Sequence, residues 1–356
     1  DFRRPATDSE IRVMSQFLRE DMETGSLGLG TGLEYDPGIY SETREVIELA
    51  RIAAGFGGRY ISHIRSEDRF FPDAVEEIIH IGREVQIPVQ ISHFKLAMTS
   101  HWGKAPEFLA RLDQARAEGI EITADVYPYT YWQSDMMVLL PDRDITNRAE
   151  VEYALAEIAP PEGMWFSRFD ADPSLVGQTL SEIAEQRAES PVDTFMSLIA
   201  ASHALSDGGT DMIIATSMQT EDVKALLAWP HSNVCTDGSL MDRHPRGIGS
   251  FPRVLGHYVR EQKLMSLEEA VHRMTGLAAK HMGISDRGIL KPGNAADLVL
   301  FDPDTIIDNA TPDNPSAPNE GVEKVWVNGI PVFQDGKTTG FLPGRFIARK
   351  EQPAEG

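Results

Sequence analysis

The sequence predicts an α/β fold of repeated strand–helix units followed by a small all-β region. Three observations predict it. Short β-branched runs alternate with amphipathic helical stretches, and the strand-to-strand step is about 30 residues, the length of a βα unit. The 356 residues are enough for one barrel of about 250 residues and a satellite domain. After about residue 288 the helical patterns stop and short strands with turn residues take over. Repeated βα units make parallel strands, closed as a (β/α)8 barrel or open as a doubly wound sheet. No GxGxxG follows the first strand, so a dinucleotide site has no support.

Taken in order, the expected strands are Leu27–Thr31, Tyr60–His63, Pro88–His93, Ile120–Val126, Met212–Ala215 and Asn233–Asp237. Between the early ones, Ser41–Ala54, Asp73–Val85 and Pro106–Glu118 carry helical periodicity. From about Trp132 to Ser206 the rhythm breaks at Leu140-Pro141-Asp142, at Ala159-Pro160-Pro161-Glu162-Gly163 and at Asp172-Pro173. That stretch reads as an insertion over the C-terminal face of the sheet, where barrel loops carry function. In the tail, Leu290–Gly293, Asp297–Phe301 and Val325–Phe333 read as strands, and Asn328-Gly329 is a hairpin turn.

Composition narrows the function classes. Hydrophobic content of 41% and charged content of 25% are those of a globular protein. A net charge of −22 disfavours nucleic acid and anionic membrane as partners, since both are polyanions. No run approaches the roughly 18 apolar residues that span a bilayer. Cys235 is the single cysteine, which excludes an intrachain disulfide and fits a cytoplasmic setting. Asp1-Phe2-Arg3-Arg4 resembles no signal peptide, and without an initiating Met the chain is expected to belong to something longer or processed.

The chemistry-bearing residues cluster at strand ends. Ile61-Ser62-His63 and Ile91-Ser92-His93 repeat one pattern 30 residues apart, so both imidazoles are expected at the same edge of neighbouring parallel strands. Neutral imidazole is a good zinc ligand. Each histidine alone could equally be a polar strand-end residue; the repetition favours the pair as ligands. Asp237, in Val234-Cys235-Thr236-Asp237-Gly238, could bind metal or accept a proton, or could simply cap a turn. Lys95, Tyr127, Tyr129 and Arg246 are candidate anion-binding or pocket groups, with surface ion pairs and core tyrosines as the plainer alternatives. His101 and Trp102 could line a pocket or cover the sheet. His80, His257, His272 and His281 lie on helical stretches and read as structural.

Gly28–Gly38 (GLGTGLEYDPG), Ser62–Glu67 (SHIRSE), Pro88–Lys95 (PVQISHFK), Ala124–Thr130 (ADVYPYT), Thr236–Gly238 and Arg243–Arg253 (RHPRGIGSFPR) occur in that order, followed by Met274–Leu277 and Asp286–Phe301 (DRGILKPGNAADLVLF). Along nearly its whole length the chain resembles the N-acyl-D-amino-acid deacylases (D-aminoacylases) of the amidohydrolase superfamily. The resemblance implies a (β/α)8 TIM-like barrel beside a small β-sandwich, with a lid-like insertion after the seventh strand. Residues 1–288 would be a partial barrel with an insertion at about 132–206, and 289–356 the C-terminal part of the sandwich. It also implies a zinc-dependent enzyme, with one or two ions, that hydrolyses small-molecule N-acyl-D-amino acids. His63 and His93 match zinc ligands of strands five and six. Asp237 matches the strand-eight aspartate that contacts metal and serves as general base and then acid. Lys95, Tyr127 and Arg246 match positions that hold the substrate carboxylate.

Two departures stand out. The family's His-x-His pair and metal-bridging cysteine belong upstream of Asp1, so the first strands are expected to be absent here, with weak metal binding unless they are supplied. In Tyr127–Asp135 (YPYTYWQSD) the bulky Tyr131, Trp132 and Gln133 replace small residues, and the substrate-facing Ser134 falls one place late. A related amidohydrolase acting on a cyclic amide or an acylated dipeptide, and an inactive truncated homologue, remain the alternatives.

Overall fold

A computed structural model describes residues 2–205, 210–238 and 243–350. Helix α1 (Asp8–Glu23) starts at a capping box in which Thr7 and Glu10 exchange side-chain and backbone hydrogen bonds. It leads into β1 (Gly28–Gly32), α2 (Thr43–Gly55), β2 (Arg59–His63), α3 (Phe71–Val85), β3 (Val89–Ile91), α4 (Ala105–Ala117) and β4 (Ile122–Val126). These elements follow the helix and strand periods of the sequence. On α3, Phe71, Ala74, Val75, Ile78, Ile79 and Gly82 are buried at helical spacing, and Gln86 ends the helix in a left-handed cap.

Next come β5 (Tyr131–Ser134), α5 (Arg148–Glu157), β6 (Met164–Phe169), α6 (Leu180–Arg187), α7 (Pro191–His203) and β7 (Asp211–Thr216). The chain then returns through α8 (Thr220–Ala228) to β8 (Ser232–Val234). A parallel sheet runs in the order β1-β2-β3-β4-β8. Ala124 on β4 pairs directly with Ser232 on β8, so everything from β5 to α8 is looped out between neighbouring strands.

The run Met212–Ala215 was expected among the alternating strands of the main sheet. It is instead the centre of a separate antiparallel sheet, β5-β7-β6. Asp211 anchors it there by accepting hydrogen bonds from the Met136 backbone at 2.7 Å and the Ser202 hydroxyl at 2.5 Å. An apolar run of this length suits a strand buried in either sheet, and periodicity does not say which one it joins. The expected end of the insertion at residue 206 lies outside the described residues.

The insertion is tied down at several points. Glu157 accepts from the Thr99 hydroxyl, Trp102 donates to the Ser217 carbonyl, and Arg69 pairs with Glu150 and lies over the Tyr153 ring.

After α9 (Arg246–Arg253), a π-helical stretch over Val254–Glu261, α10 (Leu267–Met274) and α11 (Gly276–His281), the chain forms β9 (Leu298–Phe301), β10 (Val322–Val327), β11 (Ile330–Gln334) and β12 (Lys337–Thr338). They make one antiparallel sheet in the order β12-β11-β10-β9. Asn328 and Gly329 both have positive φ and close the two-residue β10–β11 turn, as that dipeptide requires. Leu290–Gly293, expected as a strand, is a turn.

Beyond β12 the tail returns to the start of the fold. Arg349 donates to the carbonyls of Met22, Ser26 and Phe56, and its own N–H reaches the Gly25 carbonyl at 2.7 Å. Gly25, at φ +103, leaves room for it: a Cβ there would lie 2.7 Å from that of Ala348. Among the described residues no helix is long and apolar enough to cross a membrane.

Candidate active site

The site forms where the parallel strands end. His63 is the last residue of β2, and His93 follows β3 by two residues. The two triplets are 30 residues apart in sequence, but the strands pair Tyr60 with Val89, Ile61 with Gln90 and Ser62 with Ile91, an offset of 29. Continued by one residue, that register would set Ser92, not His93, beside His63. Neighbouring residues on a strand face opposite ways. His93 breaks the strand with a left-handed conformation, φ +38, and its ring comes round to the His63 side. His63 Nδ1 and His93 Nε2 then lie 3.0 Å apart.

The outer nitrogen of each ring meets a carboxylate. His63 Nε2 lies 2.7 Å from Glu34, and His93 Nδ1 lies 3.2 Å from Glu67. Lys95 Nζ is 2.5 Å from the same Glu67 oxygen and 2.7 Å from His93 Nδ1. Burial pushes the Glu34 carboxyl up against the opposing pull of His63. Burial also acts on Glu67, but Lys95 and the two histidines outweigh it and hold that carboxyl well below its usual range. For His93, burial and then the Lys95 ammonium lower the pKa, which favours the neutral ring.

These groups fit a metal ion. His63, Glu67 and His93 each present a ligand atom within 4.8 Å of the others. Two nitrogens bound to one tetrahedral zinc at about 2.0–2.1 Å would be about 3.3 Å apart, close to the spacing found here. Carboxylates behind ligating imidazoles fix the ring orientation and tautomer in such sites. Glu34 and Glu67 were not singled out in the sequence. Both sit inside quoted motifs, and Glu67 follows His63 by four residues, a spacing that could have drawn attention to it.

The other expected residues line the same pocket or back it. Its walls include Tyr35, Glu67, His93, Lys95, Trp132, Ser134, Val138, Leu139, Asp237 and Arg246. Asp237 is left-handed at φ +47, and its carboxylate meets Arg246 Nη1 at 2.6 Å. It is therefore in the pocket but is not one of the clustered ligand atoms. Gly238 lets the turn pass: a Cβ there would fall 2.6 Å from the Gly247 backbone.

The Arg246 backbone is held by His244, whose Nδ1 accepts the Arg246 backbone N–H and whose Nε2 donates to the Tyr131 carbonyl. Tyr127 lies behind the pocket with Arg246 and Lys95 4.9 and 5.7 Å from its ring centre. Its hydroxyl is buried without a hydrogen-bond partner among the described residues, and its pKa is pushed well above 10 by burial. Ser134 lines the pocket with Tyr35, whose ring packs 4.5 Å from that of His63.

Three sequence candidates lie elsewhere. Tyr129 donates to Asp308, His101 packs between Phe71 and Phe108, and Trp102 covers the insertion contact. His80, His272 and His281 are on α3, α10 and α11, and His257 is in the π-helical stretch, as their periodicity suggested.

Arg143, unnoticed in the sequence, links two pocket walls. Its guanidinium donates to the carbonyls of Met137, Leu140 and Glu34 and to the Asp36 carboxylate.

A model of the amidohydrolase family matches residues 136–333. The D-aminoacylase of Alcaligenes xylosoxydans xylosoxydans is 37% identical over 98% of this chain, which covers 67% of that protein. The N-acyl-D-glutamate deacylase of the same organism is 36% identical over 96% of this chain, covering 64% of its own length. A crystal structure of D-aminoacylase superposes with a TM-score of 0.84 at 34% identity, over 96% of this chain and 66% of that one. The N-acyl-D-glutamate deacylase of Bordetella bronchiseptica, complexed with zinc and a phosphonate mimic of the tetrahedral intermediate, gives 0.82 at 35% identity, over 95% and 66%. The chain thus spans about two thirds of the length of these relatives.

Proposed function

This chain belongs to the amidohydrolase family, in the branch of the N-acyl-D-amino-acid deacylases, and from that premise we propose that its strand-end site hydrolyses the amide of an N-acyl-D-amino acid to a carboxylate and a free D-amino acid. The observation that carries the proposal is the paired histidines, each backed by a carboxylate, beside a buried Tyr127–Lys95–Arg246 cluster. The five parallel strands would be part of a (β/α)8 barrel, with the antiparallel tail part of a small β-sandwich. About a third of each relative's length has no counterpart here, and a complete metal centre would draw on it.

His63 Nδ1 and His93 Nε2 would hold zinc, with Glu67 behind the outer nitrogen of His93. Zinc in such a place polarises a carbonyl and lowers the pKa of water towards about 7. The chain's own groups do the rest. The substrate carboxylate binds to Arg246 and Lys95, with the unpartnered Tyr127 hydroxyl as a further donor. Arginine is well shaped for that role because its planar fork matches a carboxylate.

Engaging Arg246 draws it from Asp237, whose carboxylate is thereby freed to accept a proton from the attacking water. Asp237 then delivers that proton to the leaving nitrogen, which an amide needs because an amide anion leaves poorly. Trp132, held by a 2.7 Å bond to Ser217, and Leu139 narrow the pocket and exclude water.

The test is hydrolysis of matched N-acetyl-D- and N-acetyl-L-amino acids by the zinc-supplied protein. Turnover confined to the D series supports the proposal. Equal rates, or turnover of a cyclic amide alone, would sink it.

A further inference from the structure

We infer that Asp125 is a positioning residue that holds His93 in its left-handed turn and so delivers the His93 ring to the metal site; the inference rests on reading His93 as a zinc ligand. The register requires such a device. With β2 and β3 paired at an offset of 29, an uninterrupted strand would point His93 away from His63. A positive φ is unfavourable at a non-glycine residue and persists only where the surroundings impose it.

Asp125 imposes it from the neighbouring strand β4. One carboxylate oxygen accepts the His93 N–H at 2.6 Å, and the Asp125 backbone carbonyl accepts the next N–H, of Phe94, at 2.7 Å. Two consecutive amides are thus fixed by one residue. Immediately before them, Ser92 N–H is held by the Ser62 carbonyl, and immediately after, the Phe94 ring is buried against Phe71.

Asp125 is itself held. It is buried at 7% exposure, and its second oxygen accepts from Gln90 Nε2 at 2.5 Å. Gln90 is fixed in turn, its carbonyl accepting from Thr123 at 3.1 Å. The network ties β3 and β4 together directly beneath the site. It lies behind His93, where it touches neither the pocket nor a substrate. Losing the carboxylate would free the His93 amide to relax toward the strand, and the ring would turn away from His63.

The experiment is zinc affinity of the full chain, by competition with a chromophoric chelator, alongside thermal melting of the zinc-free protein. Wild type should bind zinc and His93→Ala should not; failure of that difference overturns the zinc reading and this inference with it. Asp125→Ala should weaken zinc binding by about 10–100-fold, the size typical of residues that orient a ligand. Asp125→Asn should recover affinity to within about threefold of wild type, because its carbonyl still accepts the His93 N–H and the Gln90 amide can turn over to face it. Wild-type affinity in Asp125→Ala, or equal loss in Ala and Asn, would overturn the inference. Should Asp125→Ala not fold, Gln90→Met tests the same network from its outer end. A fall of about threefold in zinc affinity at unchanged melting temperature supports the role, and unchanged affinity overturns it.

Discussion

His93 and Asp237 end different strands in the same uncommon way, each in a left-handed conformation, yet the two turns are built differently. The His93 turn is clamped from beneath by Asp125, and both ring nitrogens already have neighbours. The Asp237 turn rests on a close glycine–glycine approach, and its carboxylate, 29% exposed, pairs with Arg246. One backbone device therefore serves two purposes. Where a ligand atom must be in place before metal arrives, every bond around it is satisfied in advance. Where a group must act only with substrate present, it is held by a contact that the substrate itself can replace.

The largest effect that would break this contrast is at Asp237. On the proposed reading, Asp237→Asn should lower the turnover rate by about 10²–10⁴-fold, the usual contribution of a general base, while zinc affinity changes little. Steady-state rates beside a zinc titration decide it, and parallel loss of metal would place Asp237 with the preset half.

Glu34→Gln tests the other half. Zinc affinity should fall by about 10–100-fold, because Glu34 orients His63 through its outer nitrogen. Arg246→Lys should instead raise KM by roughly tenfold and leave zinc binding alone, since a point charge replaces a bidentate fork. Arg143→Ala should be milder. Removing its shared hydrogen bonds should destabilise the fold by about 1.5–3 kcal/mol, read as a lower midpoint in urea.

The smallest effect concerns β8, the strand that carries Asp237. His281 lies 2.7 Å from Asn233 on that strand, and burial, with help from nearby cations, lowers its pKa from 6.5 to about 4. The unfolded chain therefore takes up a proton before the folded one does. Stability should be full above about pH 6.5 and decline as pH falls towards about 4. His281→Gln keeps a hydrogen-bond donor but does not titrate. It should flatten that part of the urea-midpoint profile between pH 6.5 and 4; an unchanged profile would assign the slope to other groups.

Much of this arrangement was legible in the residues. The Ile-Ser-His repeat pointed to two histidines at adjoining strand ends, and alternation of strand and helix pointed to a parallel sheet. What could not be read is equally specific. Identical triplets suggest identical positions, whereas the strands pair one residue out of step and a turn absorbs the difference; hydrogen-bond register leaves no mark in a sequence. The run Met212–Ala215 was visible as a strand, but its partners were not, because pairing is decided by tertiary contacts such as those of Asp211. Glu34, Asp125 and Arg143 passed unnoticed because nothing local distinguishes a carboxylate or guanidinium that orients a neighbour from one that meets water. Asp237 was placed correctly on its strand end, but its pairing with Arg246 depends on how α9 returns to the sheet.

The contact of Arg349 with Met22, Ser26 and Phe56 sets a timetable for folding. Its partners in α1 and the following loop lie more than 300 residues earlier, at separations of 327 and 323. At roughly 5–20 residues per second, a ribosome would deliver Arg349 on the order of tens of seconds after Ser26. Through that interval the carbonyls at the end of α1 have only water as a partner in Arg349's place. The helix that leads into the first strand of the sheet is thus made more than 300 residues before the side chain that completes its end.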